Sequence, residues 1–170
     1  LARHRVWAHA AANGRGVPRL RAGPLAVIVS WGLDQLRPLL AELGYGPTEI
    51  EQLEIYKTTR DNAPIQIFIH GGAWRGGSAK DSAYPAEMFV AAGARYIAVD
   101  FASVGDVSGN LMPMADQVRR AVAWVYKNAA GFGGNPNRLY LSGHSSGAHL
   151  AGVALVTDWQ KDFGLPADVI

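Results

Sequence analysis

None of the 170 residues is cysteine. Disulfides, thiolate metal sites and a cysteine nucleophile are thereby excluded, and an intracellular home is permitted, a cytoplasmic one being the expectation. No apolar stretch approaches the ~20 residues that a membrane span needs. The chain has little net charge: 16 Lys and Arg against 14 Asp and Glu leave +2, too small to argue for nucleic acid or a membrane surface as partner. No acidic residue precedes Asp34, whereas Arg3, Arg5, Arg15, Arg19 and Arg21 do, and the first residue is not Met. An Arg-rich, acid-poor opening reads as an organelle transit peptide or, more plainly, as the start of a gene fragment. No metal-ligand cluster, phosphate-cradling loop or basic stripe appears, so neither a metal nor a cofactor is expected. Histidine is absent after His149.

What is present is order from Tyr45 onward, within a length that suits one domain. Residues 1–44 form an unplaced N-terminal segment; a helix over Gly32 to Leu43 is possible there, although Pro38 sits inside it. Gly44-Tyr45-Gly46-Pro47 is turn chemistry. Leu53 to Lys57 alternates apolar and polar residues like a half-buried strand. Thr58 to Ala63 suits a hairpin-like connection, and Ile65-Gln66-Ile67-Phe68-Ile69 reads as a buried strand that stops at two glycines.

A helix is expected over Tyr84 to Ala92, a strand over Tyr96 to Phe101 and a loop over Ser103 to Asn110. A long helix opens at Pro113, with Val118, Ala121, Val122, Val125 and Ala129 at helical spacing. Gly131 to Pro136 stops it; Arg138 to Ser142 is a short strand, and Ser146 to Val156 is a helix. Strands separated by helices imply an α/β class with a mostly parallel sheet and helices on both faces.

Two motifs carry chemistry. Gly143-His144-Ser145-Ser146-Gly147 is a G-x-S-x-G pattern where a strand must turn abruptly into a helix. A serine on that turn has its hydroxyl lifted clear of the sheet, and the helix N-terminus behind it offers N–H groups and positive dipole to a developing oxyanion. Small residues two before and two after are needed because strand and helix backbones nearly touch. The second motif, His70-Gly71-Gly72-Ala73-Trp74, follows the strand over Ile65 to Ile69; its paired glycines let the main chain approach a substrate oxygen.

From Tyr45 to Thr157 the chain resembles the α/β-hydrolase superfamily, and within it the kynurenine formamidase-like (arylformamidase) and hormone-sensitive-lipase-like esterases. The resemblance rests on His70 to Trp74, on Gly143 to Ala151 and on Gly133-Gly134-Asn135-Pro136-Asn137-Arg138 leading into the elbow strand. It implies Ser145 as nucleophile, the backbone N–H groups of Gly72, Ala73 and Ser146 as oxyanion donors, and His70, Gly71 and Trp74 as loop-shaping residues. Lipase-like relatives usually carry a third glycine where Ala73 stands, which tilts the likeness toward the formamidases. The activity implied is hydrolysis of small-molecule carboxylic esters or small aryl amides and formamides through an acyl-enzyme. Ester against amide preference stays open, as does the oligomeric state. Trp74, Phe101 and the loop Ser103 to Asn110 are candidates to line an aryl-accepting pocket.

A serine needs a base and an orienting acid, which in this fold follow it in the order acid, then histidine. His144 neighbours Ser145 but points away; His149 reads as packing against the sheet; His4 and His9 fall in the unplaced segment. Asp100 reads as a packing or loop-anchoring residue, and Asp158, Asp162 and Asp168 as solvated loop positions. Residues 45–170 are therefore expected to be a partial hydrolase domain, its acid and histidine lying beyond Ile170. The alternative is a catalytically incomplete fragment, a pseudoenzyme or a binding protein of the same fold.

Overall fold

The computed structural model describes residues 40–170. The Arg-rich opening, His4, His9 and residues 32–39 of the possible helix lie outside the described residues. Among the described residues, five strands form one sheet in the order β1-β2-β4-β3-β5: β1 (Leu40–Gly44), β2 (Gln52–Tyr56), β3 (Ala63–Ile69), β4 (Arg95–Val99) and β5 (Gly134–Gly143). β3 runs parallel to β4 and β5, while β2 is antiparallel to β4 and β1. Four α-helices among the described residues accompany the sheet: α1 (Ala86–Ala91), α2 (Met112–Asn128), α3 (Ser146–Leu155) and α4 (Trp159–Phe163).

Three local readings are corrected. Leu40 to Leu43 is strand, not the end of a helix; its backbone pairs with β2 from Leu40↔Tyr56 to Gly44↔Gln52. The connection over Thr58 to Ala63 reverses the chain but joins no hairpin, because β4 lies between β2 and β3. Buried Arg95, at the start of β4, donates to the carbonyls of Thr58 (2.9 Å) and Arg60, so the inserted strand itself satisfies the turn. β5 begins at Gly134, four residues before the expected strand, and slips register between the Ala63 and Ile65 pairings. Pro136, which has no N–H to give, lies within that irregular stretch.

Both faces of the sheet are covered. On one, Leu53, Ile55, Ile65, Ile67, Ile69, Ile97 and Val99 pack with Met114, Val118, Val122 and Val125 of α2 and Leu150 of α3. On the other, Tyr56, Tyr96 and Ala98 pack with Ala83, Ala86 and Phe89 around α1. All five β4 residues are buried, as a strand covered on both faces requires. Asp158 and Asp162 are more than solvated positions: Asp158 caps α4 by accepting from Lys161 N at 3.1 Å, and Asp162 pairs with Arg119 of α2.

Glu51, only 1% exposed, ties the β1–β2 turn to α2. It accepts from Thr48 N (3.1 Å) and Thr48 Oγ1 (2.7 Å) and pairs with Arg120. Burial pushes its carboxyl up, but the Arg120 guanidinium and the Thr48 bonds outweigh burial and hold it below its ordinary 4.5. A carboxylate with a depressed folded-state pKa contributes stability above its unfolded value and loses it as pH falls through the folded one. Acid titration of the whole protein should therefore show stability falling below pH 4.5, and Glu51→Gln should flatten that part of the curve. Parallel curves for the two proteins would refute the assignment.

Candidate active site

The winding order opens a crevice at one place. The chain leaves β3 toward β4 and later returns to pair β5 on the other side of β3. The segment after β3 leads to α1 on one face, and the helix after β5, α3, packs on the other. A gap between the carboxyl ends of β3 and β5 is where such sheets bind ligands. Both sequence motifs lie there.

Ser145 is the N-cap of α3, with φ 53° and ψ −120°. That conformation costs a non-glycine residue about 1–3 kcal/mol and persists only where the surroundings over-determine it. Here His144 N donates to Ile69 O (3.1 Å), Gly147 N to His144 O (2.8 Å) and Ala148 N to Ser145 O (3.0 Å). The flanking glycines meet backbone, not side chains. A Cβ at Gly147 would strike the carbonyl oxygens of Ile69 and His70, and one at Gly143 would lie 2.5 Å from Gly147 O. Ser145 itself is exposed, and Ser146 behind it is buried.

The loop after β3 lies against this elbow. A Cβ at Gly71 would sit 2.9 Å from both His144 O and His144 Nδ1, and 3.2 Å from Ser145 Cβ. Gly72 has φ 119°, and Ala73 and Trp74 follow at 52° and 60°. Trp74 N donates to Ser146 Oγ at 3.2 Å, and the N–H groups of Arg75 and Gly76 turn back to Gly72 O. Among the described residues, the N–H groups of Gly72 and Ala73 have no partner, and both residues are exposed. Ser146 stands at the first helical position, where the helix's own ladder leaves the N–H free. Three unused donors thus flank one exposed hydroxyl.

The other loop residues hold the backbone in place. His70 is buried and stacks on Phe101 at 4.2 Å between centroids. Its Nδ1 lies 2.8 Å from Gly71 O; a carbonyl only accepts, so Nδ1 donates there. Its Nε2 faces Asp100 Oδ1 at 3.8 Å. Asp100 accepts from Ala79 N at 2.6 Å, closing the far end of the same loop. Burial pushes the Asp100 carboxyl up, against the Ala79 bond and the His70 ring, which lower it.

Several placements depart from expectation or add to it. His149 is exposed and meets the Trp74 ring edge-on, with centroids 5.7 Å apart, so it does not pack against the sheet. Trp74, Phe101, Ser103 and Asp106 line one small hollow of about 120 Å³ with His70 and Ile50. A larger hollow of about 290 Å³, bounded by Phe68, Tyr84, His144 and Gly72, lies on the other side of the loop and had no signal in the sequence. The bond from Trp74 N to Ser146 Oγ was likewise illegible, since 72 positions separate its ends.

The BD-FAE family model matches residues 53–167. A kynurenine formamidase of Salmo salar is 38% identical over 74% of this chain and 42% of its own. A Mycobacterium tuberculosis protein named carboxylesterase NlhH is 32% identical over 92% of this chain and 48% of its own. The chain therefore spans less than half the length of these curated relatives. Among solved structures, the thermophilic esterase Est2 of Thermogutta terrifontis superposes with a TM-score of 0.61, 27% identical over 67% of this chain and 43% of that one. The TM-score is the same for that esterase phosphorylated by paraoxon.

Proposed function

The chain belongs to the BD-FAE family and has the α/β-hydrolase fold of the kynurenine formamidase and hormone-sensitive-lipase-like kind, and from that membership we propose that the whole protein is a serine hydrolase. Its substrates are small-molecule carboxylic esters or small aryl amides and formamides. The observation that carries the reading is the strained, exposed Ser145 set among the unpartnered N–H groups of Gly72, Ala73 and Ser146.

In this reading Ser145 Oγ adds to the substrate carbonyl carbon, its proton passing to a general base. The carbonyl oxygen becomes an oxyanion held by the three N–H groups, which act in place without reorganising. Collapse expels the alcohol or amine, protonated by the same base, and leaves an acyl ester on Ser145. Water then adds to that ester and the steps repeat in mirror order, releasing the acid. His70, Gly71 and Trp74 shape the donor loop and take no part in proton transfer. His70 is engaged with Gly71 O and His149 with the Trp74 ring, so neither is assigned as the base. The base and its acid are proposed to lie outside residues 1–170, a reading supported by relatives of which the matched stretch covers only 42% and 48%. A cytoplasmic location accompanies this proposal on the cysteine-free sequence.

Paraoxon tests the reading directly, since a nucleophilic serine displaces p-nitrophenolate and keeps the diethylphosphoryl group. The whole protein is expected to lose ester turnover in step with phosphorylation of the peptide bearing Ser145. Turnover that persists without an adduct, or an adduct confined to another residue, would reject it. A whole protein that neither turns over esters nor reacts would favour a vestigial or ligand-binding member of the fold.

A further inference from the structure

Ser146 carries two polar groups that face different ways. Its N–H is one of the three unused donors, whereas its hydroxyl, on a residue only 5% exposed, accepts the Trp74 N–H at 3.2 Å. Trp74 is pinned from three sides: that bond at its nitrogen, Val104 N on its carbonyl at 2.6 Å, and the His149 ring against its indole. It needs such pinning. Ala73 and Trp74 both hold positive φ, a conformation that each left alone would abandon for the ordinary negative-φ regions. Rotation at either residue turns the peptide planes that carry the Ala73 and Trp74 N–H groups.

We infer that the Ser146 side chain is a positioning residue: its Oγ fixes the distance and direction between the loop donors of Gly72 and Ala73 and the elbow donor of Ser146 itself. One residue thus supplies a donor and sets the place of the other two. The bond spans an interval that no short covalent path holds, since 72 positions separate Trp74 from Ser146. This inference rests on the serine-hydrolase reading above, in which those three N–H groups hold the oxyanion.

The test uses the whole protein with p-nitrophenyl acetate, comparing wild type, Ser146→Ala and Ser145→Ala. Ser146→Ala keeps the backbone N–H and removes only the acceptor. Its kcat is expected to fall about 10- to 100-fold, the usual cost of a displaced oxyanion donor, with KM within about twofold. The rate of phosphorylation by paraoxon should fall by a similar factor, because the phosphoryl oxygen uses the same donors. A lower thermal midpoint with kcat and phosphorylation rate unchanged would mean a merely structural hydroxyl and would overturn the inference. Loss of turnover in Ser145→Ala beside normal kcat in Ser146→Ala defeats this inference alone. Undiminished turnover in Ser145→Ala defeats the hydrolase reading and this inference with it.

Discussion

Alanine at position 145 is expected to abolish ester turnover by the whole protein, lowering kcat by about 10⁴-fold or more, the loss seen when a serine nucleophile is removed and only binding and the oxyanion donors remain. The reason is chemical and local. The substitution deletes one oxygen from an exposed residue and leaves the elbow's backbone bonds, Gly147 N to His144 O and Ala148 N to Ser145 O, as they were. Alanine meets the same steric penalty at φ 53° as serine does, so the thermal midpoint should move by no more than about 2 °C. A variant that unfolds would say nothing of chemistry; one that stays folded and silent assigns the hydroxyl. Retention of even a tenth of wild-type kcat in a folded Ser145→Ala protein would remove Ser145 from the mechanism.

Gly147→Ala should have the opposite signature, a large loss of stability from a change two residues away. The added methyl has nowhere to go. It would enter the space of the Ile69 and His70 carbonyl oxygens, which belong to the end of β3 and the start of the donor loop. Neither obstacle is a flexible side chain that can swing aside. Ile69 O also accepts His144 N at 3.1 Å, and Ile69 itself is fully buried in the main core. Relief therefore requires moving α3 off the sheet or bending β3, and forced backbone shifts of this kind cost about 3 kcal/mol, the upper end for an overpacked site. Denaturant unfolding of the whole protein would measure it, and a midpoint within experimental error of wild type would refute the close approach of strand and helix at Gly147. Because the displaced atoms include the loop that carries Gly72 and Ala73, turnover should fall together with stability. The two variants thus separate the atom that reacts from the packing that presents it.

The elbow was legible because its signal is local. A strand over Leu139 to Leu141, two glycines flanking a serine pair and an apolar helix behind them lie within a dozen or so residues, and each constrains the next through backbone sterics. The buried strands β3 and β4 were legible for the same reason, as short, mostly apolar runs rich in β-branched and aromatic residues. β1 was not. Leu40 to Gly44 carries no alternation of its own, and three of its five residues are exposed; only pairing with β2 makes it a strand. The connection over Thr58 to Ala63 misled in an instructive way. Its composition encodes a reversal, and the chain does reverse, but what sits beside β2 is decided by a strand thirty or more residues further on.

His149 shows the same limit at the site. Its position on α3 follows from helical periodicity, yet whether its ring meets the sheet or the Trp74 indole depends on where the donor loop lies, and that loop is held by Ser146, Val104 and the Asp100–Ala79 bond. The sequence by itself determined the two motifs, the residue types each needs and the order in which they occur, because turn sterics and hydrophobic periodicity act over a few residues. Only the tertiary structure decided that the motifs meet, that β4 comes between β2 and β3, and that the Ser146 hydroxyl bonds the far loop. Those outcomes depend on closing long loops and on competition for buried faces, and such contacts leave no mark in any short window of the chain.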